Sequence, residues 1–210
     1  MFNFLNTLKI VQSDEALPGR QTPITSSEKS YINNRSLKGP WPSEYDTAIF
    51  GMGCFWGAER LFWSINGIYV TSVGYAGGYT PNPTYEEVCS GQTGHAEVVQ
   101  IVFDKNSCSY EKLLKIFFES HNPTQGMRQG NDRGTQYRSI IIYSNNVQKD
   151  NAYKIKDNYN TSLLKKGHNC ITTEIKSLDR YYLAETYHQQ YLSKNPNGYC
   201  GIEGTGIKCL

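Results

Sequence analysis

The chain has 210 residues, enough for one compact domain with extensions. The net charge is only +2 and no long Lys/Arg run is present, so the sequence does not favour nucleic-acid binding. No apolar run approaches the ~20 residues that span a bilayer, and the segment 1–17 resembles neither a secretory signal nor a mitochondrial presequence. We therefore expect a cytoplasmic protein without a membrane partner.

The polar, proline-containing segment 1–44 indicates an extended arm lying on a main domain over 45–194. The predicted strands are 45–50, 68–75, 95–103, 139–143 and 171–175. The predicted helices are 55–65, a short one within 76–91, 110–120, 147–165 and 182–193. Residues 195–210 are predicted to be an irregular, mobile, glycine-rich tail. This alternation favours an α+β fold with two layers, a split β-α-β (ferredoxin-like) core, a mixed sheet and long loops.

The chain contains six cysteines, too few for a disulfide-stapled scaffold of this length, so we expect thiols at rest. Three of them have no informative setting and are interpreted as structural: Cys89, Cys108 and Cys170.

Cys54 lies between a glycine turn and the predicted start of the first helix. Unpaired N–H groups and the helix dipole favour an anion at such a terminus, so we expect the pKa of the thiol to be lowered and the thiol to be nucleophilic. Phe55 and Trp56 are the next two residues and would form an apolar wall beside the thiol. The alternative is a small cysteine buried in a turn.

Glu97 lies on the predicted strand 95–103 and shares a face with Val99, Ile101 and Phe103. The opposite face is also apolar, so we expect burial on both sides and a raised carboxyl pKa. Such a group can donate a proton at neutral pH. The alternative is a carboxylate near a strand end that reaches water.

The segment 121–138 is long and lacks periodicity, which is typical of a functional loop. Its Asp132 and Tyr137 could hydrogen-bond a polar ligand, and Tyr85, in the separate turn 83–87, could be a phenol donor. The alternatives are a solvated surface loop and a tyrosine that only packs.

The glycine-rich tail carries Cys200 and Cys209, as a resolving and relay pair in thiol–disulfide exchange would require. A zinc site is an alternative, but eight residues separate the two cysteines and no CxxC is present. His188 could act as a general base for Cys54, which would make a Cys-His hydrolase the rival interpretation.

Five segments together resemble the class A peptide methionine sulfoxide reductases, and the resemblance extends from about residue 48 to 209. They are GCFWGAE (53–59), GYAGG (74–78), GHAEVV (94–99), GNDRGTQYR (130–138) and YHQQYL (187–192), and the arm segment ALPGR (16–20) is similar to the longer bacterial members.

The resemblance implies reduction of methionine S-sulfoxide, in proteins and as the free amino acid, to methionine. By similarity, Cys54 attacks the sulfoxide sulfur, while Glu97 protonates the oxygen and can take the thiol proton. Tyr85 and Tyr137 would hydrogen-bond that oxygen, and Asp132 would order the site.

The resemblance also implies that Phe55 and Trp56 hold the substrate methyl group. Cys54 becomes a sulfenic acid, which Cys200 attacks to form a disulfide. Cys209 then forms a Cys200–Cys209 pair that thioredoxin reduces. No metal or organic cofactor is required, because cysteines carry the two electrons, and we expect a monomer.

Two further alternatives stay open. One is a thiol peroxidase that uses the same cysteines, and the other is a non-catalytic module that binds methionine-rich segments in an aromatic cleft.

Overall fold

The computed structural model describes residues 9–209. Within them, eight strands form a six-stranded mixed sheet and a separate two-stranded ribbon. The strands are β1 (Tyr45–Gly51), β2 (Ile68–Ala76), β3 (Ala96–Asp104), β4 (Arg128–Gln129), β5 (Asp132–Arg133), β6 (Ile140–Tyr143), β7 (Glu174–Ser177) and β8 (Tyr181–Leu183). The main sheet has the order β7-β6-β1-β3-β2-β8, and only β6 and β7 pair in parallel.

The same residues contain five α-helices and one 3-10 turn. The helices are α1 (Phe55–Phe62), α2 (Tyr85–Cys89), α3 (Tyr110–Ser120), α4 (Asn146–Lys165) and α5 (Tyr191–Lys194), and the 3-10 turn is Thr135–Tyr137. The predicted helix 110–120 is confirmed to the residue, and 147–165 is confirmed with one residue more.

Strand β3 lies between β1 and β2 and runs antiparallel to both. Strands β1 and β2 therefore run in the same direction without touching, and α1 connects them. Eight of the nine β3 residues are buried, because both faces of this central strand are covered. The predicted burial of β3 on both sides is confirmed.

The main core lies between one sheet face and helices α1, α3 and α4. Phe50 of β1 packs against Phe62 and Phe117 with ring centroids 5.9 and 5.0 Å apart. On the opposite face, Leu37 and Trp41 of the arm pack with Val102. Helices thus support one face, and the arm covers part of the other.

The predicted helix 182–193 is wrong over most of its length. Tyr181–Leu183 is instead the edge strand β8, which pairs with β2. The Gln189 side chain accepts from the Val73 N–H at 2.9 Å and donates to its carbonyl at 2.8 Å, as a further strand residue would. Pairing with the sheet therefore outweighs local helix propensity here, and only Tyr191–Lys194 is helical.

Three other predictions need correction. The first helix ends at Phe62 rather than at residue 65. The predicted strand 171–175 begins at Glu174, because Thr172 is bonded to the Pro123 carbonyl instead of the sheet. The loop 121–138 is not structureless, since it contains the β4–β5 ribbon and the 3-10 turn.

The arm 9–44 contains no helix or named strand among its described residues, as expected for an extended segment. The predicted arm also includes residues 1–8, which lie outside the described residues. Across 9–209, the helices lack the combination of length and apolar character that crossing a membrane requires.

Candidate functional site

Cys54 occupies the N-cap of α1, separated from the end of β1 by two residues. Gly53 precedes it with φ +98°, a conformation that a side chain would strain, so the glycine allows the sharp turn into the helix. The thiol is only 7% exposed. The expectation of a lowered pKa is wrong for this state: burial, and then the nearby Glu97, raise the pKa of the Cys54 thiol, and the N–H groups of Trp56 and Gly57 offset this only partly.

Glu97 lies at the start of β3 with its side chain beneath the first turn of α1. It is 1% exposed, and its Oε2 accepts a hydrogen bond of 3.0 Å from the Phe55 N–H. Burial raises the pKa of this carboxyl to about 8, and Asp132 also contributes. The alternative in which Glu97 reaches water is therefore wrong, and a neutral acid lies beside Cys54 at pH 7.

Asp132, Tyr137 and Tyr85 lie at the same cleft, although they come from three separate elements. Burial raises the pKa of both tyrosines, and the next contribution in each is the Glu97 charge, which disfavours a neighbouring phenolate. Asp132 Oδ1 accepts a hydrogen bond of 3.2 Å from the Tyr199 hydroxyl. Its buried Oδ2 has no hydrogen-bond partner among the described residues.

Phe55 and Trp56 form an aromatic wall next to the thiol. Phe55 is fully buried, whereas Trp56 is half-buried and stacks on Tyr191 with centroids 3.9 Å apart and planes 16° apart. The Trp56 Nε1–H donates to His188 Nδ1 at 3.0 Å. Trp56 is therefore held both by the first residue of α5 and by the turn that precedes α5.

His188 does not occupy the position of a general base. Its Nδ1 is engaged by Trp56, and the structure gives it no hydrogen bond to Cys54 within 9–209. Burial lowers the pKa of His188 to about 4, so the ring is neutral at pH 7. Its contacts instead orient the aromatic wall, which weakens the Cys-His hydrolase interpretation.

Glu185 is a residue of the cleft that sequence reasoning missed. Its Oε1 accepts from the Tyr85 N–H at 2.9 Å, and its Oε2 accepts from the Tyr75 hydroxyl at 2.8 Å. It lies within the segment predicted as a helix, where nothing in the sequence pattern indicates a turn that brings this carboxylate back to α2.

Cys200 lies close to Cys54, whereas Cys209 does not. A Cβ placed on Gly57 would come within 2.8 Å of the Cys200 Sγ, and Gly57 is three residues from Cys54, on the same side of α1. The Cys209 N–H donates to Glu119 Oε1 at 2.8 Å, at the far end of α3. All six cysteines are free thiols, so one tail thiol is next to the site and the other is docked elsewhere.

Comparisons of the sequence and of the structure with known proteins give the same result. Residues 46–208 match the family model described as peptide methionine sulfoxide reductase. Peptide methionine sulfoxide reductase MsrA of Brucella anthropi is 59% identical over 94% of this chain and 90% of the relative. The mitochondrial peptide methionine sulfoxide reductase of Bos taurus is 55% identical over 96% of this chain and 86% of the relative.

Two solved structures are also similar. Methionine sulfoxide reductase A of Corynebacterium diphtheriae has a TM-score of 0.86 at 43% identity and covers 96% of this chain and 98% of its own. Mxr1 from Saccharomyces cerevisiae in reduced form has a TM-score of 0.72 at 34% identity, covering 83% and 96%.

Proposed function

Because the chain belongs to the family of peptide methionine sulfoxide reductases, and is therefore an oxidoreductase, we propose that it reduces methionine S-sulfoxide through a sulfenic acid on Cys54. The substrates are the S-sulfoxide in oxidised proteins and the free amino acid. The observation that carries this proposal is the pairing of a buried thiol with a fully buried, protonated carboxyl, Glu97, at one helix terminus.

Glu97 supplies the proton that the reaction needs. Oxygen leaves a sulfoxide poorly unless it is protonated, and Glu97 is the acid beside the nucleophile. Once Glu97 has given its proton to the oxygen, its carboxylate accepts the proton of the Cys54 thiol. The sulfur of Cys54 then attacks the protonated sulfoxide and forms an S–S bond to the substrate sulfur. The hydroxyl passes from the substrate sulfur to the Cys54 Sγ, so the old S–O bond and the S–S bond break, a new S–O bond forms, methionine leaves and Cys54 is a sulfenic acid.

The surrounding groups orient the sulfoxide. Tyr85 and Tyr137 donate hydrogen bonds to its oxygen, for which their raised pKa values keep them protonated. Asp132 orders this side of the cleft. The wall of Phe55 and Trp56 contacts the methyl group, a small apolar surface that aromatic rings can select.

The tail regenerates the thiol. Cys200 attacks the Cys54 sulfenic acid, which forms a disulfide and releases water. Cys209 then attacks this disulfide, frees Cys54 and leaves a Cys200–Cys209 disulfide that the dithiol of thioredoxin reduces. Because Cys209 is docked at Glu119, this second exchange requires the tail to move.

We also propose the finer organisation that the sequence predicted. With α2 and the β4–β5 ribbon treated as insertions, the remaining order β1-α1-β2-β3-α3-β6 supports a ferredoxin-like core of the split β-α-β type. The division proposed is an arm (1–44), a catalytic domain (45–194) and a glycine-rich tail (195–210) that moves during recycling, in a cytoplasmic monomer.

A thiol peroxidase using the same cysteines is the alternative. A peroxidatic cysteine reacts as a thiolate, and the raised pKa of Cys54 disfavours that form in the free enzyme. The low thiolate population supports a reaction in which the substrate must bind before Cys54 loses its proton.

The decisive experiment measures turnover of peptides that contain the separate S and R epimers of methionine sulfoxide, with thioredoxin, its reductase and NADPH. We expect NADPH consumption with the S epimer only. Cys54→Ser abolishes it, and Cys170→Ser, at an exposed cysteine, serves as the matched control with full activity. No consumption with either epimer, in reduced and folded protein, would contradict the proposal, and rapid consumption with peroxide alone would favour the peroxidase.

A further inference from the structure

The segment of the arm around Arg20 is bonded to the loop that leads into α2. The Arg20 N–H donates to the Pro81 carbonyl at 3.1 Å, and the Thr80 hydroxyl donates to the Leu17 carbonyl at 2.9 Å. In return, the Asn82 side-chain amide donates to the Arg20 carbonyl at 2.8 Å. These reciprocal bonds join a distant part of the chain to the approach of α2.

Gly19 shows how closely this segment is seated. Its φ is +64°, and a Cβ at this position would collide with the Pro81 carbonyl oxygen and the Thr80 methyl group. Only glycine fits this conformation and this approach without strain.

The Arg20 guanidinium reaches over the loop to the first turn of α2. Its two terminal nitrogens donate to the two carboxylate oxygens of Glu87 at 2.9 and 2.6 Å, and Nη1 also donates to the Asn82 carbonyl at 2.6 Å. A bidentate arginine–carboxylate pair fixes direction as well as distance. The ion pair therefore holds Glu87 in one orientation.

Glu87 in turn closes the capping box of α2. Its Oε2 accepts from the Thr84 N–H at 2.9 Å, and its own N–H donates to the Thr84 hydroxyl at 3.3 Å. Helix α2 has only five residues, far fewer than a helix needs to be stable by itself. Its position therefore depends on this cap and on what holds the cap.

Tyr85 is the first residue of α2, directly after the cap. Glu185 binds the Tyr85 N–H on one side at 2.9 Å, and the pair of Arg20 and Glu87 fixes the helix start on the other. The Tyr85 ring packs on His188 with centroids 4.5 Å apart, inside the cleft.

We propose that Arg20 is a positioning residue for the reductase reaction, acting through the cap of α2 to hold the Tyr85 hydroxyl at the sulfoxide oxygen. The inference rests on the proposed function of Tyr85 and gives the arm a part in catalysis. Misplacement of a catalytic group by about 1 Å can cost up to about 100-fold in rate. Since only one of two tyrosine donors is affected, we expect Arg20→Ala to lower kcat about three- to tenfold.

The test is a double-mutant cycle in the full chain, with single-turnover reduction of an S-sulfoxide peptide as the readout. Arg20→Ala is measured in the wild-type and in the Tyr85→Phe background. If Arg20 acts through Tyr85, it lowers the rate in the wild type and has no further effect once the hydroxyl is absent. Equal losses in both backgrounds, or no loss in the wild type, would overturn the proposal.

Glu87→Gln keeps the test decisive if Arg20→Ala folds poorly. Glutamine can still accept from the Thr84 N–H and complete the box, but it lacks the charge that binds Arg20. We expect Glu87→Gln to lower kcat by a similar factor, with KM almost unchanged. Arg20→Lys restores the positive charge without the paired hydrogen bonds of the guanidinium, so we expect its kcat to lie between those of Arg20→Ala and the wild type. A melting temperature lowered at unchanged kcat would show a merely structural role and refute the inference.

Arg35→Ala is the matched control. Arg35 is also on the arm, donates to the Tyr69 carbonyl at 2.7 Å and makes no contact with α2. We expect its kcat to equal that of the wild type. The proposed function and this inference can be refuted independently. Full activity in Tyr85→Phe would refute the proposed role of Tyr85, whereas additive effects of Arg20→Ala and Tyr85→Phe would refute only the role of Arg20.

Discussion

Two carboxyl groups are fully buried near α1, and they differ in how many donors they meet. Glu59 accepts from the Thr71 hydroxyl at 3.1 Å, the Gln190 N–H at 2.8 Å and the Gln190 side-chain amide at 2.7 Å. Within the described residues 9–209, Glu97 accepts only from the Phe55 N–H, at 3.0 Å. Both are 1% exposed or less.

The number of donors distinguishes Glu59, which has a structural setting, from Glu97, for which we propose a role in the reaction. Burial raises both pKa values, to about 7 for Glu59 and about 8 for Glu97, and the three bonds of Glu59 counteract it more strongly. Glu59 joins α1 to the turn at Gln190, because two of its three donors belong to that residue. Glu97 accepts one hydrogen bond and keeps further hydrogen-bonding capacity, which is consistent with the proposed contact to a substrate oxygen.

Replacing Glu97 should have the largest effect on the reaction rate of all the changes that test this comparison. Glu97→Gln retains an oxygen for the Phe55 N–H but loses the transferable proton. General acid catalysis contributes about 10²–10⁴-fold, so we expect the single-turnover rate to fall by about that factor with the fold intact. A rate within twofold of the wild type would remove Glu97 from the chemistry.

The pH profile is the second test and depends on the same proton. Glu97 must be protonated to act as the acid, so kcat/KM should be level below its pKa of about 8 and fall about tenfold per pH unit above it. Glu97→Gln should lack this limb. A wild-type kcat/KM that stays level to pH 10 would contradict the assignment.

The stability of Glu97→Gln is the third test. A carboxyl whose folded pKa lies above its unfolded value stabilises the fold fully below the unfolded pKa of about 4.5, and this contribution is lost as pH rises through about 8. The glutamine variant should therefore gain about 4 kcal/mol relative to the wild type between pH 4.5 and 8.5, since one pKa unit corresponds to about 1.4 kcal/mol. Urea unfolding at both pH values checks this, and an equal difference at both would refute it.

The sequence predicted features that depend on local patterns. The helix 110–120 and the burial of Glu97 follow from periodicity, and both are confirmed. The segment 182–193 was predicted wrongly, because its structure depends on pairing with β2 and on the side chain of Gln189, which are tertiary contacts. The location of Cys200 over Gly57 has no local signal either, since a glycine-rich tail has no preferred path until it packs.

Glu59→Gln should have the smallest effect on the reaction rate, and it tests the comparison at the second of the two carboxyls. An amide offers one acceptor oxygen, so its NH₂ group must face a donor of Gln190 or Thr71 and leave it without a partner. A buried donor left unsatisfied costs about 1–3 kcal/mol, which urea unfolding measures directly. The single-turnover rate of the folded variant should stay close to that of the wild type, because Glu59 joins α1 to the Gln190 turn and leaves Glu97 untouched. If instead the rate falls as far as in Glu97→Gln while stability is unchanged, donor number does not distinguish the two carboxyls, and Glu59 belongs to the chemistry.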